Sequence, residues 1–262
     1  MKKLFFSFIW IIFATTLAFA QNNDPDVFDA TPQRPTFTSD TSTTAPGTLE
    51  MELGTVISED TFVIPITFKY TPPATKGLFH KTEFSVSFDT IAGIESNNKR
   101  TTKTGNLISF AIRRPVFEIK NFSIAFAPQA SFFLRDQKGA RLGATVFTAY
   151  AFGLNSVVTN LTFSNATSSS ASNPAQKYDL AIDVGRTLGN SGAKSKTSIF
   201  TGILIEKAKK QDSIVSLLQG INYRVKPNLV LDLSLRQVGF RTGNIDYQLL
   251  TGLTVNFGRL FK

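Results

Sequence analysis

The 262-residue chain has no cysteine, one histidine and one tryptophan, and after its first twenty residues it has no long apolar run. Without cysteine there are no disulfides, no thiol nucleophile and no thiolate metal ligand. A lone histidine, His80, excludes a histidine-rich metal site, and none of the many serines is singled out as its nucleophilic partner. No later stretch approaches 18 consecutive apolar residues, which excludes a transmembrane helix there. Charge is scarce too: 18% of residues are charged, against about 25% in ordinary soluble domains. The balance is basic, +9, but no run of five or six Lys/Arg is present to grip a phosphate backbone. These absences exclude disulfide scaffolds, helical membrane proteins and thiol enzymes, and they argue against a nucleic-acid partner.

The first twenty residues, MKKLFFSFIWIIFATTLAFA, read as a cleaved signal peptide. Lys2 and Lys3 form the positive end, Leu4 to Leu17 the apolar core, and Ala18-Phe19-Ala20 a small-x-small cleavage site. Cleavage removes Trp10 and the two lysines, which takes the net charge from +9 to +7. Residues 21–46 are rich in Asn, Asp, Pro, Thr and Ser without periodicity and read as an irregular N-terminal segment.

From Gly47 the chain alternates in segments of about ten residues. Leu49, Met51 and Leu53 oppose Glu50, Glu52 and Gly54, and TFVIPITFKY and TEFSVSFD continue the alternation. Towards the C-terminus, NLVLDLSLR sets four leucines against Asp232, Ser234 and Arg236, and DYQLLTGLTVNF closes the series. About twelve such strands are expected, within a range of ten to fourteen. Alternation alone also fits a soluble β-sandwich. The wet face, however, is rich in Gly, Ser, Thr and Asn, which suits a lumen. The expected fold is all-β: a transmembrane antiparallel up-and-down β-barrel over 47–262, preceded by a signal peptide (1–20) and an irregular segment (21–46) that plugs or caps the lumen.

The connections support this topology. If strand one rises from the periplasm, TPPATKG, GLNS and RVKPN are short periplasmic turns, whereas 90–105 and NATSSSASNPAQK are long outer loops. SED is short where a long loop is expected, and RTLGNSGAKSK is long where a turn is expected. Tyr70, Tyr150 and Tyr223 fall at periplasmic strand ends, and Tyr178 and Tyr247 at outer ends, as two interfacial girdles require.

GLTVNF, Gly252 to Phe257, resembles the C-terminal sorting signal that barrel-assembly machinery reads. It departs in two places: Lys262 rather than an aromatic is last, and Leu250 stands where a polar residue is common. The opening stretch resembles a narrower family, the outer-membrane transporters named for their association with the meta-pathway of phenol degradation. The matching residues are Arg34-Pro35-Thr36-Phe37-Thr38, a Thr/Ser tract, and Pro46-Gly47-Thr48-Leu49 through Glu52-Leu53-Gly54, with INYRVKPNLVLDLSLR as a late hairpin. Gln33 replaces the Asp that often precedes Arg-Pro. The resemblance implies the cell outer membrane and a transport role.

No chemistry-bearing constellation emerges. Asp24, Asp26 and Asp29 lack EF-hand spacing, and GAKSKT lacks the glycine spacing of a phosphate loop. No enzyme activity, cofactor or metal is expected. Alternation places Glu50, Glu52, Lys69, Lys81, Glu83, Asp89, Asp179, Asp183, Asp232, Arg236 and Asp246 on the lumen face. Mixed signs suit a salt-bridged interior as well as a channel, and twelve strands enclose a bore between the filled eight-stranded and the open sixteen-stranded cases. Arg34, Pro35 and Phe37 are the plug residues, with Arg34 expected near Glu50 and Glu52. The expected function is passive passage of small molecules, hydrophobic ones included, with outer-membrane lipid and the assembly machinery as partners. The alternative is a closed structural or adhesive barrel that binds a partner through its outer loops.

Overall fold

The computed structural model describes residues 27–260, apart from 34–35, 60, 74–75, 78, 97–98, 105–106, 135–138, 170–173, 190–195 and 241–244. The expected signal peptide, with Asp24 and Asp26, lies outside the described residues. The strands are β1 (Thr48–Ile57), β2 (Thr61–Tyr70), β3 (Glu83–Ser96), β4 (Lys99–Thr104), β5 (Leu107–Ile119), β6 (Phe122–Phe133), β7 (Ala140–Phe152), β8 (Asn155–Ala166), β9 (Gln176–Leu188), β10 (Thr197–Ala208), β11 (Ile214–Lys226), β12 (Leu229–Val238) and β13 (Asp246–Arg259).

Every pairing is antiparallel, and β1 pairs with both β2 and β13, so the sheet closes on itself. Closure leaves no edge of unpaired backbone groups, the condition for β-structure in hydrocarbon. β3 pairs with β5 through 83–88 and with β4 through 91–96. β4 and β5 therefore run end to end along β3, and the wall is a barrel of twelve staves, the number expected. The stretch 90–105 corrects the sequence reading in one respect. Of its described residues, 91–96 extend β3 and pair with 99–104 of β4 instead of forming a loop. Thr101, Thr102 and Thr104 are β-branched, and the ladder satisfies backbone groups that a polar loop would leave to water.

An even number of staves brings the start of β1 and the end of β13 to one rim. Three connections at this terminal rim are two-residue turns. Lys120-Asn121 (Lys120 φ 44°), Gly153-Leu154 (Gly153 φ 63°) and Pro227-Asn228 join their strands directly. Tight turns mark the periplasmic side of such barrels. Of the strand prolines, Pro65 and Pro115 lie at register shifts, whereas Pro128 of β6 stands in regular register opposite Ala144.

The outer surface is apolar. Phe110, Val146, Leu161, Val184, Ile199 and Leu233 all point outward and are exposed. Leu53, Leu253 and Leu231 stand side by side across β1, β13 and β12, so register as well as pleat aligns the oily face. Tyr150 and Tyr223 are exposed near the terminal rim, and Tyr178 and Tyr247 near the opposite, distal rim.

Candidate functional site

The inner wall begins with β1. Its alternate residues Thr48, Glu50, Glu52 and Gly54 are all buried, and the Glu50 side chain is wholly so. Cross-strand pairing sets Glu50 against Lys69 of β2. The Lys69 ammonium forms ion pairs with Glu50 and, at 2.8 Å, with Glu52. Glu83 of β3 faces Arg113 of β5 across the ladder, with 3.9 Å between the charged groups. Arg113 lies over the Phe147 ring, 4.7 Å from its centroid. Two buried anions around one cation are stable only if further donors complete the carboxylates.

Those donors come from the N-terminal segment, which lies inside the barrel. The Thr31 N–H donates to Glu50 Oε2 (2.7 Å) and its hydroxyl to Oε1 (3.0 Å). The Gln33 N–H donates to Glu52 Oε1 (2.7 Å), and Lys69 Nζ donates to the Thr31 carbonyl (2.8 Å). The Thr38 N–H and hydroxyl both reach Asp183 Oδ2 at 2.6 Å. The Thr44 N–H donates to Glu83 Oε2 (2.8 Å). Asn160 of β8 exchanges both amide hydrogen bonds with the Ser39 backbone, at 2.7 and 3.0 Å. Thr41 bonds Ser123 of β6, and Arg113 donates to the carbonyls of Asp40 and Ser42. A segment without secondary structure must place its backbone groups somewhere. Here four inward carboxylates and one amide take the place of a partner strand.

An apolar contact adds to the polar ones. Phe37 packs on inward-facing Phe200, Leu218 and Leu250, with Val56 beside them. The Arg236 guanidinium lies over the Phe37 ring, 5.1 Å from its centroid. Inward glycines open the space. A Cβ on Gly220 would run into the Phe200 ring, and one on Gly202 into the Asp183 carboxylate. At its C-terminal end the segment turns into β1 through Gly47 (φ 83°), whose N–H bonds the Thr71 carbonyl. The segment does not fill the terminal mouth. A cavity of about 490 Å³ remains there between Asp40–Ser42 and the ends of β5 to β8.

Nearer the distal rim a second charge array lines the wall. Lys177 bridges Asp179 (3.4 Å) and Glu206 (2.6 Å), and Glu206 in turn meets Arg236 (3.6 Å). Asp232 stands inward across from Gly252, Asp246 accepts from Gln248, and Asp89 stands opposite Pro65. Thus Glu50, Glu52, Lys69 and Glu83 form one cluster with the segment. Asp179 and Arg236 belong to the distal array, with Asp246 within electrostatic reach of Arg236, and Asp183 holds Thr38. Lys81 corrects the sequence reading. It sits in the turn before β3 at positive φ, half-exposed, and its ammonium reaches Glu118 at the terminal rim rather than lining the lumen. The turn displaces it from the strand's alternation. Arg34 and Pro35 lie outside the described residues, and Lys69 with Thr31 and Gln33 occupies the carboxylates expected to meet Arg34. His80 is exposed in the same turn as Lys81.

Sequence reasoning missed Arg113, Glu206, Lys177 and the apolar niche. Strand phase would have found them: Arg113 falls opposite Glu83, and Glu206 opposite Asp179. Phe200, Leu218 and Leu250 are apolar residues in the inward phase, and that mismatch was their signal. Leu250, the departure noted in the C-terminal strand, is explained by its contact with the Phe37 cluster.

A closed antiparallel barrel with an apolar belt, aromatic girdles and a polar interior is an outer-membrane β-barrel, at home in the cell outer membrane. Among solved structures, the chain is similar to the KdgM porin, with a TM-score of 0.57 at 8% identity, covering 79% of this chain and 98% of that one. It is similar to the NanC porin, with a TM-score of 0.56 at 9% identity, covering 79% and 98%. The β domain of the Bordetella autotransporter BrkA also matches, with a TM-score of 0.53 at 9% identity, covering 80% and 99%. At these identities the likeness is one of fold. No family model matches the chain, and no curated protein matches it by sequence.

Proposed function

We propose that the protein is a passive outer-membrane channel for small solutes, hydrophobic ones among them, and that residues 27–46 are its displaceable plug. The observation that carries this reading is the way the segment is held. Its backbone N–H groups end on inward carboxylates, polar acceptors that water can take over when the segment leaves. A purely structural filler would be expected to add a strand or pack a continuous apolar core. The resemblance to the transporters associated with phenol degradation supports the same reading, because matching residues do the holding. Phe37 is the apolar anchor, Thr38 bonds Asp183, Gly47 makes the turn and Glu52 takes the Gln33 N–H.

Liposome swelling tests the proposal. Wild-type protein refolded into vesicles is expected to pass small uncharged solutes slowly, and protein lacking residues 27–46 several-fold faster. If neither form conducts while both are folded, the barrel is closed, and the structural or adhesive alternative takes its place.

A further inference from the structure

The niche that receives Phe37 is unusual within this lumen. Much of the inner wall is charged, hydroxylic or small, with Phe147 beneath Arg113 and Val230 as further inward apolar residues, but here Phe200, Leu218 and Leu250 come together from β10, β11 and β13. The ring they hold is not part of the wall; it belongs to the segment that crosses the lumen. It also satisfies the site incompletely. Arg236 and Ser234 lie on the inward face of β12, with Ser234 directly across from Leu250 and Arg236 directly across from Leu218. Arg236 meets Glu206 and Ser216 through Nη2, but Arg236 Nε and Ser234 Oγ are both buried without a hydrogen-bond partner. Buried donors left unpaired cost free energy, and a phenylalanine ring has no acceptor to offer them. The niche therefore fits a ring with an acceptor better than it fits Phe37. Because one of the orphan donors is a guanidinium, a carboxylate is the complementary group.

We propose that this niche is a binding site for a small aromatic carboxylate, and that Phe37 is its tethered competitor. A benzoate-sized solute would place its ring among Phe200, Leu218 and Leu250 and its carboxylate against Arg236 and Ser234. Its binding would expel Phe37 and so loosen the plug. The inference rests on the reading of 27–46 as a displaceable segment, and it assigns that segment its trigger.

Phe37→Trp makes the niche visible, since the native sequence has a single tryptophan, Trp10. Phe37→Trp protein in detergent is titrated with sodium benzoate, and the wild type serves as the blank for Trp10. The expected result is a saturable red shift of the emission from the introduced indole as it leaves the niche. Acetate, which has no ring, and toluene, which has no carboxylate, should require at least tenfold higher concentrations. Arg236→Gln should raise the half-saturating benzoate concentration about tenfold. If Phe37→Trp misfolds, calorimetric titration of wild-type protein with benzoate reads the same site. The proposal is overturned if folded protein shows no saturable benzoate response, or if acetate or toluene acts as well as benzoate. Swelling separates this result from the channel reading: vesicles that conduct yet ignore benzoate keep the channel and lose the site.

Discussion

At the scale of single residues, Lys69 is the centre of the interior. It is fully buried between Glu50 and Glu52 and also bonds the segment through the Thr31 carbonyl. Removing one partner of a buried ionic group is far more damaging than never having built it, because the remaining charges keep their desolvation cost. Lys69→Met is therefore expected to destabilise the folded barrel by about 3–5 kcal/mol. The urea midpoint of unfolding from vesicles measures this, and a loss below about 1 kcal/mol would indicate that water reaches the cluster. Glu50, Glu52 and Lys69 were legible as inward residues from alternation alone. That they share one site was not, because residues 50, 52 and 69 meet only through the β1–β2 register and a segment that no periodicity describes.

At the scale of elements, the strands were legible and the segment's path was not. TFVIPITFKY matches β2 residue for residue, because both its period and its β-branched content point the same way. The β3–β4 extension was hidden because its polar Thr/Lys stretch mimics a loop. The N-terminal segment is held by wall residues from β1, β2, β3, β5, β6, β8, β9 and β13, contacts that span up to 227 positions in sequence. One pair offers a direct test of its mobility. The Thr41 and Ser123 hydroxyls touch, and the chain has no native cysteine to interfere. Thr41→Cys with Ser123→Cys is expected to form a disulfide that pins the segment. Single-channel recordings should then show lower open probability under oxidising conditions, restored by dithiothreitol. Equal conductance in both states would mean that solute passes without moving the segment.

At the scale of the whole molecule, the apolar belt decides where the protein resides. Leu161 lies outward near the middle of β8 with 55% of its surface exposed, a position that suits lipid and not water. Leu161→Arg is expected to cost about 2–4 kcal/mol, the penalty for a cation at the bilayer midplane. Equilibrium unfolding from lipid vesicles is the measurement, and a neutral result would place Leu161 away from the membrane centre. The sequence by itself determined the strands, their two faces and the closed all-β barrel. The strands and their faces follow from a local two-residue period repeated about twelve times; the barrel needed the hydroxyl-rich wet face and the turn pattern as well, because it is the arrangement that gives one face to lipid and the other to a lumen without leaving an edge. Only the tertiary structure decided how the N-terminal segment is held in that lumen. The carboxylates that take up the segment's N–H groups, and the niche that takes Phe37, are assembled from distant strands. Their chemistry depends on register and proximity, which no local pattern encodes.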